Sequence, residues 1–275
     1  MKGQNYINKD YFLPLLRSFC EETMPLYKNG EVYEQGPFIP YVMSGYMSSS
    51  PKIMYVGRDT FYWVPFDTLY NSFHNQHLED YLDADAKCVD VDKMIEWNNN
   101  SGSFFNMVDK LHLLIRTGVY YPDITSIGYR ELALLSEIGY GNLCPIEFPS
   151  TIDKRYGEHV NLEPEYWKIC EAAKSFGTLK AMIEAYNPDV VFVLTWIDKE
   201  EDFFSGIDGD YTWHKELFRQ SDEEKEYRAV YTSTKYQTKV IWSLHPNALS
   251  YKGFNKEDRK HLIHFLADTY HLLMA

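Results

Sequence analysis

Two places in the sequence combine residue types that can break a polar bond. The first is Gly57-Arg58-Asp59-Thr60-Phe61-Tyr62, which begins at the end of the apolar run KIMYVG at 52–57. The second is His245-Pro246-Asn247-Ala248-Leu249-Ser250-Tyr251-Lys252-Gly253-Phe254, directly after TKVIWSL at 238–244. Asp59 supplies a carboxylate just past a glycine. His245 supplies an imidazole on backbone that Pro246 holds extended. A carboxylate and a hydrogen-bond donor facing each other suit one kind of reaction. They can cleave a bond in which positive charge grows on one fragment and negative charge on the other. Taken singly, Asp59 also reads as a turn cap and His245 as a strand-end hydrogen-bonding group. It is the pair that points to chemistry.

Both segments need strands to place them. KIMYVG reads as a buried strand running into a tight turn at Gly57, and DVVFVLTW (189–196) as a second buried strand. YRAVYTS (227–233) and TKVIWSLHP (238–246) give two more. Helical spacing covers 9–26, 104–116, 129–140, 163–188 and about 255–273, with 129–140 running into a turn at Gly141-Asn142. Residues 29–50 read as a long loop. Buried strands alternating with helices predict an α/β fold, a three-layer α/β/α sandwich with a mostly parallel central sheet. In such sheets ligands bind at the carboxyl ends of the strands, where Asp59 and His245 fall. The whole of 1–275 reads as a single domain with acidic insertions near 79–102 and 198–226.

Composition narrows the function. The chain has 275 residues and is 45% apolar, enough for a sizeable core and too much for a disordered chain. No apolar run approaches the ~20 residues of a bilayer span, and MKGQNYINKD lacks a secretory pattern, so a cytoplasmic location and no membrane partner are expected. The net charge of −13 argues against a surface that binds nucleic acid everywhere. Residues 229–262 depart from it, with six basic residues against two acidic. This stretch surrounds the His245 segment, and reads either as a phosphate-facing surface or as ordinary solvated lysines. The 16% aromatic content is chiefly core and surface filling, with base stacking the minority use. Cys20, Cys88, Cys144 and Cys170 form no CxxC pair and read as free thiols. His74-x-x-His77 with Glu79 and Asp80 reads as a polar surface turn, and His261, His264 and His271 as one wet helix face.

The two segments together resemble the uracil-DNA glycosylase superfamily. That family's first motif is a strand followed by Gly-Gln-Asp-Pro-Tyr, where this chain has Val56-Gly57-Arg58-Asp59-Thr60-Phe61. Its last motif is His-Pro-Ser-Pro-Leu-Ser and then Gly-Phe, where this chain has His245-Pro246-Asn247-Ala248-Leu249-Ser250 and Gly253-Phe254. Between them the family places a loop Asn, best matched by Asn142 in Gly141-Asn142-Leu143-Cys144-Pro145. The resemblance implies a uracil-DNA glycosylase-like fold. It also implies hydrolysis of the N-glycosidic bond of uracil or a related damaged base, without metal or organic cofactor.

The same resemblance assigns roles. Asp59 positions the water and stabilises the sugar cation, while His245 donates to the departing base. Asn142 reads the base edge, Phe61 excludes a ring methyl, and Leu249 fills the gap left by the flipped nucleotide. Phe73 or Phe66 stacks on the base. Gly57, Arg58, Asn247 and Ser250 complete the binding residues. The chain departs from the pattern at Arg58 for Gln, Thr60 for Pro, and Asn247-Ala248 for Ser-Pro. Arg58 sets a cation beside Asp59, which allows a second reading. In it, a non-catalytic protein binds a free nucleobase, nucleotide or modified nucleic acid in the same crevice. A third reading is an interaction protein keeping only the fold. The expected partner is DNA containing a damaged base, or a free base or nucleotide, and a monomer is favoured.

Overall fold

The structure is a computed structural model that describes residues 5–27, 36–59, 64–87, 103–146, 164–195, 200–214, 228–246 and 255–275. Helices cover both faces of a seven-stranded mixed sheet, an α/β architecture. The strands are β1 (Tyr41–Val42), β2 (Ile53–Asp59), β3 (Ile138–Cys144), β4 (Val190–Leu194), β5 (Tyr211–Trp213), β6 (Arg228–Ser233) and β7 (Lys239–Ser243). They lie in the order β1-β3-β2-β4-β7-β6-β5. The four central strands, β3, β2, β4 and β7, are mutually parallel; β1 pairs antiparallel with β3 at one edge, and at the other β6 pairs antiparallel with β7 and β5 antiparallel with β6. The parallel pattern expected from the sequence therefore holds at the centre and stops at both edges.

Every residue of β4 is fully buried, as a parallel strand covered on both faces must be. The chain passes from β2 to β3 on one side, then crosses to β4 on the other. The carboxyl ends of β2 and β4 thus flank a topological switch point, the usual ligand crevice of an open parallel sheet.

The helices are α1 (Lys9–Thr23), α2 (Phe66–His74), α3 (Leu78–Asp85), α4 (Ser103–Thr117), α5 (Tyr129–Leu135), α6 (Pro164–Ala173), α7 (Leu179–Tyr186), α8 (Glu200–Phe203) and α9 (Lys256–Met274). Alternation along β2 separates the two helical layers. Tyr55 stacks on Phe192 of β4 at 5.2 Å and meets His112 of α4 at 5.9 Å. Its neighbour Val56 faces the other way, beside Met182 of α7. α4 packs with α5 and α9 on the first face, while α1 packs with α2, α3, α6 and α7 on the second. α1 begins at Asn8, whose side chain accepts from the Tyr11 amide at 3.2 Å, and it buries Phe12, Leu16, Phe19 and Cys20 along one stripe. α9 starts with a capping box in which Asn255 accepts from Glu257 and Asp258 and the Asp258 carboxylate accepts from the Asn255 amide.

Four local expectations are corrected. The helix expected over 129–140 ends at Leu135, and Gly141-Asn142 is no turn but the middle of β3. The glycines there serve packing: a Cβ at Gly139 would crowd Met54 and one at Gly141 would collide with Met182. Gly57 likewise is no turn, because β2 runs on through Asp59. The long helix expected over 163–188 breaks at Gly177-Thr178, and Thr178 caps α7 by accepting from the Ala181 amide. A Cβ at Gly177 would sit 2.5 Å from the Asn142 carbonyl oxygen, so the break brings that segment hard against β3. The 29–50 segment is also not wholly loop, since β1 pairs with β3 there.

Among the described residues, no helix is long and apolar enough to cross a membrane.

Candidate functional site

The side chains of Asn142 and Phe104 meet above Gly57, and Phe104 carries the contact on to His245. β2 and β3 run parallel with Gly57 opposite Asn142. A Cβ at Gly57 would lie 2.7 Å from the Asn142 Oδ1 and 3.3 Å from the Phe104 Cε2. The side-chain amide of Asn142 and the ring of Phe104 therefore occupy the space a larger residue would fill, and glycine is required by close approach. The Phe104 ring in turn lies nearly parallel to that of His245, with centroids 5.8 Å apart and planes 14° apart. Gly57, Asn142, Phe104 and His245 thus form one continuous cluster at the carboxyl end of the parallel strands. Asn142 and His245 are both partly buried.

Each member is placed by a different element. His245 lies two residues beyond β7, whose end is tied to β4 by a hydrogen bond from the Thr195 amide to the Ser243 carbonyl at 2.9 Å. Asn142 sits in β3 between Gly141, pressed by Met182, and Leu143, and its carbonyl backs onto Gly177. Phe104 opens α4, and that helix is pinned deeper in the core. His112, two turns along, is fully buried with its Nδ1 3.2 Å from the Tyr55 hydroxyl. Burial, reinforced by the Arg116 guanidinium, pushes the His112 pKa down to about 3, so the imidazole is neutral at physiological pH. Arg116 lies 3.1 Å from the Glu137 carboxylate and donates to the Ser50 and Pro51 carbonyls. The network anchors α4 between β2 and the approach to β3.

The sequence-derived residues divide into three groups. Gly57, Asn142 and His245 come together. Asn142 does so from a strand, where a loop was expected, because the parallel pairing with Gly57 aims it into the crevice. The backbone of β2 carries Arg58 and Asp59 onward, with Asp59 opposite Cys144 and so two residues beyond Gly57 at the crevice end. The side chains of Arg58 and Asp59, and all of Phe61, Asn247, Leu249 and Ser250, lie outside the described residues.

The two candidate stacking residues are elsewhere. Phe66 is fully buried against Phe19 and Tyr27. Phe73 sits on α2, in the opposite helical layer, with its ring against His74. The aromatic that meets the cluster is Phe104, which the sequence reading passed over. Its only local signal is a helix that opens on two adjacent phenylalanines.

The described residues contain no group of three or more His, Cys, Asp or Glu arranged to hold a metal ion. His74 packs on Tyr70, and Glu79 lies 3.9 Å from Lys9. Cys20, Cys144 and Cys170 are in no disulfide, and burial pushes the Cys20 pKa up to about 12. Chemically, the cluster offers an amide able both to donate and to accept, a flat apolar face and an imidazole, within a few ångströms of the end of β2. No model of a known protein family and no curated protein matches the chain.

Proposed function

We propose that the crevice accepts a nucleobase and that the chain is a uracil-DNA glycosylase-like enzyme hydrolysing an N-glycosidic bond. The observation that carries this reading is the meeting of Asn142 and Phe104 over Gly57, with His245 against the Phe104 ring. An amide that reads a base edge, a ring that stacks on its face and an imidazole that donates to a carbonyl oxygen are what a flipped pyrimidine needs. The central parallel order β3-β2-β4-β7, with helices on both faces and the cluster at the carboxyl ends, supports a uracil-DNA glycosylase-like fold.

In this reading the sugar passes through an oxocarbenium-like state. The bond between C1′ and the base nitrogen breaks, and its electron pair leaves with the base. Asp59 stabilises the cationic sugar and orients a water. The water oxygen bonds to C1′, and the water proton passes to the base by way of Asp59 and solvent. His245 donates to the base oxygen on which negative charge develops, where a preformed donor contributes most.

The ring geometry adds a constraint. A base held between two rings in van der Waals contact needs about 7 Å between them. Phe104 and His245 are 5.8 Å apart. The two nearly parallel rings therefore leave no room for a base between them; a base stacked on Phe104 beside His245 lies level with the imidazole, whose N–H donates in that plane.

The test is release of base from single- and double-stranded oligonucleotides carrying uracil and other damaged bases, read as alkali-labile abasic sites. Wild type is expected to give product and Asp59→Asn to give far less. Absence of product from wild type on every substrate removes the enzyme. Arg58 beside Asp59 favours one second reading, a crevice that holds a free base or nucleotide without cleaving it. Calorimetric binding of uracil without turnover, lost in His245→Ala, identifies that case.

A further inference from the structure

The sheet itself places Gly57 and Asn142, but Phe104 is placed by α4. Its ring position is exacting. The ring lies 3.3 Å from a Cβ at Gly57, and its plane is 14° from that of His245. A slip of α4 by one residue would carry the ring about 1.5 Å along the helix axis and about 100° around it. Met107, Val108, Leu111 and Leu114 are buried along α4, and Phe105 packs on Tyr140. Apolar burial is non-directional and resists such a slip weakly. Hydrogen bonds have a preferred distance and angle, and so fix a register.

Two such ties lie beyond the middle of the helix. Arg116 is twelve residues along α4 from Phe104, about 18 Å at helical rise. Its Nη1 donates to the Ser50 carbonyl at 3.2 Å and its Nη2 to the Pro51 carbonyl at 2.6 Å, with the Glu137 carboxylate 3.1 Å from Nη2. Its Nε points to the Nε2 of His112, whose Nδ1 meets the Tyr55 hydroxyl of β2. Ser50 and Pro51 lead into β2, and Glu137 leads into β3. These are the strands whose opposite ends carry Gly57 and Asn142. One guanidinium, its side chain only 9% exposed and so shielded from water, therefore joins α4 to both strands of the cluster. The spans agree, since Pro51 lies six residues before Gly57, about 20 Å of extended chain. α4 is a strut laid back along β2. It is gripped at the amino end of the sheet and bears Phe104 at the carboxyl end.

We propose that Arg116 is a positioning residue for base binding, which through α4 holds the Phe104 ring against Gly57 and His245 without touching the base. The proposal rests on the base-binding reading and adds to it the remote group that sets the stacking face. A planar guanidinium presents its donors in a rigid fork, and here the fork holds two carbonyls and a carboxylate at once. A lysine in its place keeps the charge and loses the fork. A misplacement of about 1 Å at a binding group, caused from a distance, is enough to lose much of its effect.

The experiment uses the full chain with Arg116→Gln and Arg116→Lys. The control is Leu16→Ala, which opens a cavity in the opposite helical layer. Asp109, also buried on α4, stays unaltered throughout. All proteins are compared under conditions where urea curves show them folded. The first readout is the carbon-bound proton resonances of His245 in protein carrying isotope-labelled histidine, assigned with His245→Gln. The ring current of Phe104 displaces these resonances, and Phe104→Leu gives their undisplaced position. The second readout is calorimetric affinity for uracil. Arg116→Gln is expected to move the His245 resonances towards their Phe104→Leu position and to weaken uracil binding about tenfold, within the range of a lost base–aromatic stack. Arg116→Lys should move both in the same direction by less. Leu16→Ala should move neither.

A folded Arg116→Gln in which either readout keeps its wild-type value overturns the proposal, as does an equal change in Leu16→Ala. If Arg116→Gln does not fold, Arg116→Lys decides by the same two readouts. The base-binding reading fails separately. A wild type that binds no uracil, with His245 resonances that still move in Arg116→Gln, keeps Arg116 as the group that places Phe104 and removes the base.

Discussion

The buried imidazole of His112 ties the stability of the fold to pH in a way that can be worked out from its surroundings. Burial is the main cause of its depressed pKa, and the Arg116 guanidinium adds to it. In the unfolded chain an ordinary histidine titrates near 6.5. In the folded protein His112 stays neutral until about pH 3. The unfolded state therefore binds the extra proton between these limits. Stability from this group is fully present above pH 6.5 and is lost as pH falls toward 3. The maximum slope is about 1.4 kcal/mol per pH unit, and between pH 7 and pH 5 the loss comes to about 2 kcal/mol.

Urea unfolding at pH 7 and pH 5, on wild type and His112→Gln, isolates the effect, because the other ionisable groups are common to both. Wild type should lose about 2 kcal/mol more than the variant over this interval. The variant should also be less stable at pH 7, since it disturbs the contact with the Tyr55 hydroxyl. Equal pH dependence in the two proteins would refute the placement of a neutral imidazole under the sheet.

Phe104→Ala removes the stacking face and is expected to weaken uracil binding by about 5- to 150-fold, the equivalent of ~1–3 kcal/mol, with the urea midpoint nearly kept; calorimetry reads the first and denaturation the second. An unchanged affinity would show that the base does not rest on this ring. Gly57→Ala pushes a methyl into the Asn142 amide and the Phe104 ring, so stability should fall by about 1–3 kcal/mol and uracil binding by more than tenfold. A variant that binds uracil like wild type would mean that the two side chains are free to yield.

The parts of this fold that were legible in the sequence are those whose signal is local. The apolar run Val190–Leu194 reads as a buried strand because both of its faces are covered, and α9 reads from its periodicity. His245 reads because a strand and a proline fix its backbone. β3 was hidden, since Leu132, Leu135 and Ile138 continue a helical spacing and Gly139 and Gly141 look like breakers. Only the tertiary neighbours Met54 and Met182 explain those glycines as packing choices. The break at Gly177 was hidden for a similar reason, although Thr178 after a glycine is a usable capping signal. Phe104 became visible only through Gly57 and His245, from which it is separated by 47 and 141 positions. Nothing in its own neighbourhood distinguishes it from Phe105, which packs on Tyr140.

The place of β7 beside β4 has a consequence during synthesis. As the chain emerges, β4 follows β2 and β3 and pairs with β2, while its other edge stays bare until residues 239–243 arrive. That edge belongs to Val-Val-Phe-Val-Leu, a charge-free stretch able to template pairing with another chain. The intervening segment must be translated before the edge can be sealed, so the interval between those two events is the period of greatest aggregation hazard. Slowed translation of the last quarter, or a stop before Lys239, would therefore harm solubility before it harmed anything else. The strand that carries His245 is, in the nascent protein, first of all a cover.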